Sequence, residues 1–233
     1  MSGSLTVGLL HPGEMGSAIG AAADAEVIWA SEGRSEATRA RAAALRDAGT
    51  LEVLLDEADV VLSICPPHAA LDVARACTGF SGIYVDANAI SPARAGQISA
   101  LHPRFVDGGI IGGPDAPALY LSGEEADAVA ALFPALETHV VRDASAVKMV
   151  YAAWSKGTAA MLLAIRGVAA HYGVEDEWRR AAPELGDRLV RAERSAAKKG
   201  WRWAGEMDEI ADTFAAAGRP EGFHRAAAEV FRA

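Results

Sequence analysis

The run Thr6-Val7-Gly8-Leu9-Leu10-His11-Pro12-Gly13-Glu14-Met15-Gly16-Ser17-Ala18-Ile19-Gly20 leaves an apolar strand and opens a helix in one step. So tight a junction commits the chain to a strand followed by a crossover helix. It also leaves the first amides of that helix facing whatever lies beyond the strand end. Backbone N–H groups at a helix N-terminus meet negative charge well, and glycines let the backbone approach a phosphate closely. Gly13 and Gly16 occupy the second and third glycine places of a dinucleotide turn, whereas His11 stands at the first. His11, Pro12, Gly13, Glu14 and Met15 are the expected cofactor contacts here; a purely structural turn is the other reading of the same residues.

The first half of the chain continues in the same style, with short β-branched runs alternating with alanine-rich amphipathic segments. Strands are expected at Thr6-Val7-Gly8-Leu9-Leu10, Glu26-Val27-Ile28-Trp29-Ala30, Val60-Val61-Leu62-Ser63-Ile64-Cys65 and Gly82-Ile83-Tyr84-Val85-Asp86. Helices are expected over 14–23, 35–48, 68–77 and 92–101, with Ser35 and Ser91-Pro92 as caps. Further strands are expected at Arg104-Phe105-Val106-Asp107, Ala118-Leu119-Tyr120-Leu121 and Thr138-His139-Val140-Val141, with a helix over 124–132. Near-continuous apolar strands suit a parallel sheet covered on both faces.

From about Ser145 the pattern becomes helical: one long helix to His171, then helices to the end broken at Pro183, Gly200, Gly205 and Gly218-Arg219-Pro220. The expected fold is an α/β Rossmann-type doubly wound, mostly parallel sheet, followed by a long interdomain helix and a small all-α C-terminal domain. Its domains are residues 1–143 and 144–233.

With 233 residues, 51% of them hydrophobic, the chain has ample core. Its net charge of −9 provides no field for nucleic acid. Neither Cys65 nor Cys77 belongs to a metal-ligand spacing, so no metal site is expected. No run reaches the roughly 20 apolar residues that span a bilayer, and the N-terminus lacks a secretory pattern, so the cytoplasm is the expected location.

The second strand ends in Trp29-Ala30-Ser31-Glu32-Gly33-Arg34-Ser35, where folds of this type contact the adenosine ribose. An acid at that place suits the free hydroxyl of NAD, and an arginine with hydroxyls suits the 2′-phosphate of NADP. Ser31 and Arg34 favour NADP (NADPH) over NAD, with Glu32 directed to solvent. Arg34 as an ordinary surface charge is the other reading.

Val7 to Gly16 resembles the opening of the 6-phosphogluconate dehydrogenase and β-hydroxyacid dehydrogenase superfamily, V-G-F-I-G-x-G-x-M-G, apart from His11. The turn variant together with Lys148 and Trp154-Ser155-Lys156-Gly157 is similar to a phosphogluconate-dehydrogenase-like branch with a C-terminal helical domain of unknown function. The resemblance implies that Cys65, Pro66 and Pro67 pass beside the cofactor and that Asn88 stands near the nicotinamide. His68 is either a ligand-side donor or a solvated helix start. Asp107-Gly108-Gly109-Ile110-Ile111-Gly112-Gly113-Pro114 lines up with the family's substrate loop, so Gly112 and Gly113 are expected to bind substrate through their amides, while the family's serine is Ile111 here.

Lys148 falls at the family's catalytic lysine, a general acid or base whose apolar flanks would lower its pKa. The family's asparagine one turn later is Ala152, which passes its role to Tyr151 or Ser155. Core packing and helix back-bonding are the competing roles for those two. Trp201, Trp203 and Met207 either line a cavity or pack between helices. The resemblance implies an NADP-dependent oxidoreductase for a small hydroxyacid or ketone, working as a homodimer. An imine reductase and a non-catalytic NADP-binding sensor are the alternatives.

Overall fold

The computed structural model describes residues 5–232, and it divides into two compact units, one ending at Lys148 and the other starting at Met149. In the first, β1 (Thr6–Leu9), β2 (Glu26–Trp29), β3 (Arg46–Asp47), β4 (Val60–Ser63), β5 (Ile83–Asp86), β6 (Phe105–Gly113), β7 (Ala116–Ser122) and β8 (Glu137–Val140) form one sheet. Its order is β3-β2-β1-β4-β5-β6-β7-β8. All pairs are parallel except β6 with β7.

Strand order reverses between β1 and β4, the topological switch point at whose carboxyl edge open α/β sheets bind ligands. Side chains alternate through the sheet into two apolar clusters. Val7, Leu9, Leu62, Val85 and Val106 fill one, and Ile28, Leu54, Val61, Tyr84 and Ile98 fill the other. Burial on both faces explains why these strands show continuous apolar runs instead of alternation.

Helices α1 (Glu14–Ala21), α2 (Glu36–Arg41), α3 (Leu51–Glu57), α4 (Ala70–Ala76), α5 (Pro92–Ser99) and α6 (Ala126–Ala130) make the crossovers and cover the faces. The two expected caps are present: Ser35 Oγ accepts from the Thr38 amide (3.3 Å) and Ser91 Oγ from the Arg94 amide (3.4 Å). The segment expected as one helix over 35–48 stops early. Asp47 Oδ1 accepts the amides of Ser31 (3.2 Å) and Gly49 (2.8 Å), so a side chain competes with helix and holds the short edge strand β3 instead. Helix α3 and strand β3 carry too few residues for a periodic signal. Strand β6 also runs past the expected Asp107 to Gly113, so the presumed substrate loop is one arm of a hairpin with β7.

The second unit begins inside α7 (Ala144–Ala152) and continues through a π-helical turn (Ala153–Gly157) into α8 (Thr158–Tyr172). The uninterrupted α-helix expected over 145–171 therefore carries an extra residue. Gly157 closes that turn against Phe223 and His224, with no side chain of its own. Helices α9 (Glu175–Ala181), α10 (Gly186–Ala216) and α11 (Gly222–Arg232) follow.

Gly200 and Gly205 do not break α10, contrary to the sequence expectation: its 31 residues are continuous. Each helical glycine costs about 1 kcal/mol against alanine. Burial of Leu189, Trp203, Met207 and Ile210 on one face outweighs that, and Trp203 stands edge-on to Phe231 of α11 at 5.2 Å. The helix ends where Gly218 takes φ +65 ahead of Pro220. Among the described residues no helix is long and apolar enough to cross a membrane.

Candidate active site

The turn after β1 is held by its own backbone, with the Gly13 amide donating to His11 O (2.8 Å) and the Ser17 amide to Gly13 O (2.8 Å). The glycines serve different ends. A Cβ at Gly16 would lie 2.3 Å from His11 O, so only glycine lets α1 pack on the turn. A Cβ at Gly13 would meet nothing within 4 Å, so the backbone there borders open space at the helix N-terminus.

His11 is accommodated by burial. Desolvation, with the charge of Arg34 nearby, lowers its imidazole to about 4, and it stays neutral. His11 Nδ1, Ser17 Oγ and Arg34 Nε are buried without a hydrogen-bond partner. Three unsatisfied polar atoms at one turn and the adjoining loop are costly unless something pairs with them. A dinucleotide pyrophosphate against α1, with an adenosine phosphate at Arg34, fits this donor set.

The loop after β2 and helix α2 beyond it bring more cations here than the sequence had suggested. Ser31 is buried, Glu32 is exposed, and Arg34 is half-buried beside His11. Arg39 Nη2 donates to Ser31 O (2.7 Å) and Arg41 Nε to Pro12 O (3.2 Å), which ties this loop to the glycine turn. Arg39 and Arg41 were missed because they sit in a helix of mixed charge; spacing from Arg34 was their one available signal.

At the end of β4, Pro66 and Pro67 lead into a short 3-10 turn, with His68 exposed. Burial, with Asp86 adding to it, pushes the Cys65 thiol up to about 12. Asn88, expected near the nicotinamide, is 2% exposed and occupied within the fold. Its Oδ1 accepts the Cys65 amide (2.5 Å), and its Nδ2 donates to Ser63 Oγ (3.1 Å) and Asp86 Oδ2 (2.9 Å). Asn88 thus fixes the β4 loop from the β5 loop, acting on position.

Lys148 sits on α7, whose start is tied to the sheet. Asp107 Oδ2 accepts the Ser145 amide (2.7 Å) and the Ser122 hydroxyl (3.1 Å), while Asp107 Oδ1 accepts the Ser145 hydroxyl (2.6 Å). Ser122 Oγ accepts the Ala144 amide (2.9 Å) and Asp143 Oδ1 the Ala146 amide (2.7 Å), so the free amides of the first turn are capped.

A Cβ at Gly109 would lie 2.9 Å from Lys148 Cβ and 3.0 Å from Ala144 O, so this glycine lets α7 lie against β6. Lys148 Nζ donates to Ile110 O at 2.5 Å. Since Asp107 pairs with Asp86 at the end of β5, Ile110 lies three residues beyond that carboxyl end, at the same edge as residues 10–13 and 64–67. Gly112 has φ +98, and a Cβ there would meet Ala116 O at 2.4 Å, a conformational reason for glycine at the hairpin tip. Gly112 and Gly113 are exposed.

In the second unit, Tyr151 is exposed. Ser155 Oγ donates back to Tyr151 O (3.0 Å), the back-bonding role considered for it from sequence.

Over residues 169–233 the chain matches a family model described as a domain of unknown function, DUF1932. It is 32% identical over 163 residues to an uncharacterized 28.5 kDa protein in the 7S RNA 5′ region of Methanothermus fervidus; that match covers 65% of this chain and 65% of the relative's length. Conserved protein MTH1747, of unknown function and structurally similar to 3-hydroxyacid dehydrogenases, superposes with TM-score 0.72 at 27% identity, over 98% of this chain and 96% of its own. A 3-hydroxyisobutyrate dehydrogenase from Salmonella typhimurium gives 0.70 at 16% identity, over 98% and 93%. A reductive aminase from Aspergillus terreus in complex with NADPH gives 0.59 at 14%, over 99% and 93%.

The fold is that of the 3-hydroxyacid dehydrogenases. Its structural neighbours are 3-hydroxyacid dehydrogenase-like, and the DUF1932 model matches its C-terminal region.

Asp86 is fully buried, and desolvation, with Asp107 adding to it, raises its carboxyl to about 7 despite the two hydrogen bonds from Asn88. The folded chain therefore keeps this proton where the unfolded chain, titrating near the usual 3.8, has lost it. Stability is expected to fall as pH rises from about 4 to about 7, because the unfolded state binds fewer protons in that window. Urea unfolding of Asp86→Asn at both ends of the window is expected to show a smaller decline than the native chain; an unchanged decline would assign it to another group.

Proposed function

We propose that the protein is an NADP-dependent oxidoreductase that exchanges hydride with a small hydroxyacid or ketone, using Lys148 as general acid or base. The observation that carries this reading is the seat of Lys148 at the carboxyl edge of the sheet, the edge that also holds the glycine turn and the Cys65-Pro66-Pro67 loop. Residues His11 to Met15 take the pyrophosphate, and Ser31 and Arg34 take the 2′-phosphate. Cys65, Pro66 and Pro67 border the nicotinamide side, where Asn88 acts by fixing the Cys65 amide. The bound nicotinamide supplies the hydride.

Lys148 gives a proton to the carbonyl oxygen in reduction and removes it in the reverse direction, and Ile110 O keeps the ammonium in place between turnovers. Gly112 and Gly113 offer the substrate acid group their amides, and Tyr151 is the candidate second donor. Ser155 is a weaker candidate, its hydroxyl being spent on its own helix. The setting is the cytoplasm, and the working form is a homodimer. Support for the dimer comes from α8, where Met161, Ile165, Val168 and Tyr172 recur at spacings of 4, 3 and 4 and are all exposed.

Lys148→Ala is expected to bind NADPH as the native chain does and to lose turnover by about 10²–10⁴-fold in a screen of carbonyl and imine substrates. Native turnover by this variant would remove the catalytic assignment. In fluorescence titrations NADPH is expected to bind more tightly than NADH. Arg34→Ala should weaken NADPH by about tenfold or more, as the loss of a charge-assisted bond requires, and leave NADH unchanged. Tighter NADH binding that ignores Arg34→Ala would overturn the cofactor choice. For the dimer, sedimentation of a Met161→Lys, Val168→Lys double variant is expected to give a monomer; an unshifted mass would exclude α8 as the interface.

A further inference from the structure

We infer that the helical unit contains a binding site for a small organic anion, in a cavity between α8 and α10 beside the π-helical turn. The cavity measures about 430 Å³, within the roughly 300–1,000 Å³ common for ligand sites. Trp154, Leu162 and Trp203 supply an apolar wall, and Lys156, Arg188 and Arg191 bring positive charge, with no aspartate or glutamate in the lining. This is a local reversal in a chain of net charge −9.

The three cations are not equivalent. Lys156 is mostly buried and its ammonium is paired with Glu206, so its charge is already neutralised inside the wall. Arg188 and Arg191 stand three residues apart on α10, which places both side chains on one helix face, and both are exposed. Elsewhere in this unit Arg166, Arg225 and Arg232 end on carboxylates. Arg188 and Arg191 make no ion pair among the described residues.

Ser195 follows Arg191 by one turn in the same lining and adds a neutral donor. Two guanidinium forks with a hydroxyl match a carboxylate or phosphate head group. The indole of Trp203, fixed edge-on against Phe231 at 5.2 Å, offers a rigid face to an apolar body.

The backbone points the same way. Trp154, Ser155 and Lys156 all belong to the π-helical turn and all line the cavity. Such turns are retained in helices at a cost in hydrogen-bond geometry and recur at functional places. Here the extra residue presents three consecutive side chains to one cavity. The ligand class is therefore a small acid with an apolar or aromatic body, held head-first by Arg188 and Arg191.

The test uses the full chain and tryptophan fluorescence, with 3-phenylpropionate as probe and its neutral amide, 3-phenylpropanamide, as control. The acid is expected to saturate the signal, with the amide about tenfold weaker and affinity falling as salt is raised. Arg188→Gln with Arg191→Gln should weaken the acid by about tenfold or more. Arg194→Gln, one residue short of Ser195 and absent from the lining, should bind as the native chain does. Far-UV circular dichroism checks that the double variant keeps its helices. NADPH titration of the same variant is expected to be unchanged, so failure of this site is distinguishable from failure of the oxidoreductase reading. Equal affinity for acid and amide, a salt-independent affinity, an unaffected double variant, or no saturation by the acid up to roughly 10 mM would each overturn the inference.

Discussion

The buried carboxylate of Asp107 is the contact on which the rest of the candidate site depends. It accepts one hydroxyl and one amide from the first turn of α7 and a second hydroxyl from β7, so a strand, its hairpin partner and a helix end on the same two oxygens. Burial raises its pKa, and the hydrogen bonds from Ser145 and Ser122 oppose that rise. A charge in such a position is tolerated because its acceptor sites are filled. Lys148 lies less than one helical turn past Ser145, so its position follows from this anchor and from the absence of a side chain at Gly109.

A sequence pattern can resemble a family's in letters and differ from it in use. Asp107-Gly108-Gly109 lines up with a substrate loop, yet here these residues cap a helix, admit the β5 loop and seat a lysine. A Cβ at Gly108 would lie 2.9 Å from Asp86 O, and one at Gly109 would strike α7. Ile111 and Ala152 stand where the pattern that the chain resembles has a serine and an asparagine, so two of its polar groups are absent. Arg34, Arg39 and Arg41 gather around the loop after β2 and the glycine turn.

Much of the sheet was legible because a strand buried on both faces has no choice but a continuous apolar run, as at Val60-Val61-Leu62-Ser63. The capping residues Ser35 and Ser91 were legible for a similar reason, since only a short polar side chain can serve a free helix amide there. Strand β3 was not, because what makes it is a long-range pairing secured by the Asp47 carboxylate. Nor was the continuity of α10 through two glycines, which rests on packing against α11, a contact with no local signature. In the candidate site, His11 could be found by spacing and Lys148 through the resemblance; the occupation of Asn88 by Ser63, Cys65 and Asp86 could not, because those partners meet only when β4 and β5 are paired.

The π-helical turn at Ala153–Gly157 sets the rotational phase of the helix that follows it. An α-helix turns by about 100° per residue, and a π turn takes up one additional residue by widening, so each side chain of α8 stands about 100° from where an uninterrupted α-helix of the same sequence would put it. Leu162 faces the protein and Met161 faces away only in that phase. Removing one residue from the turn would restore a plain α-helix and leave the side chains of α8 on the faces they now hold, so the turn lets the chain carry an extra residue without exchanging which of them are inside.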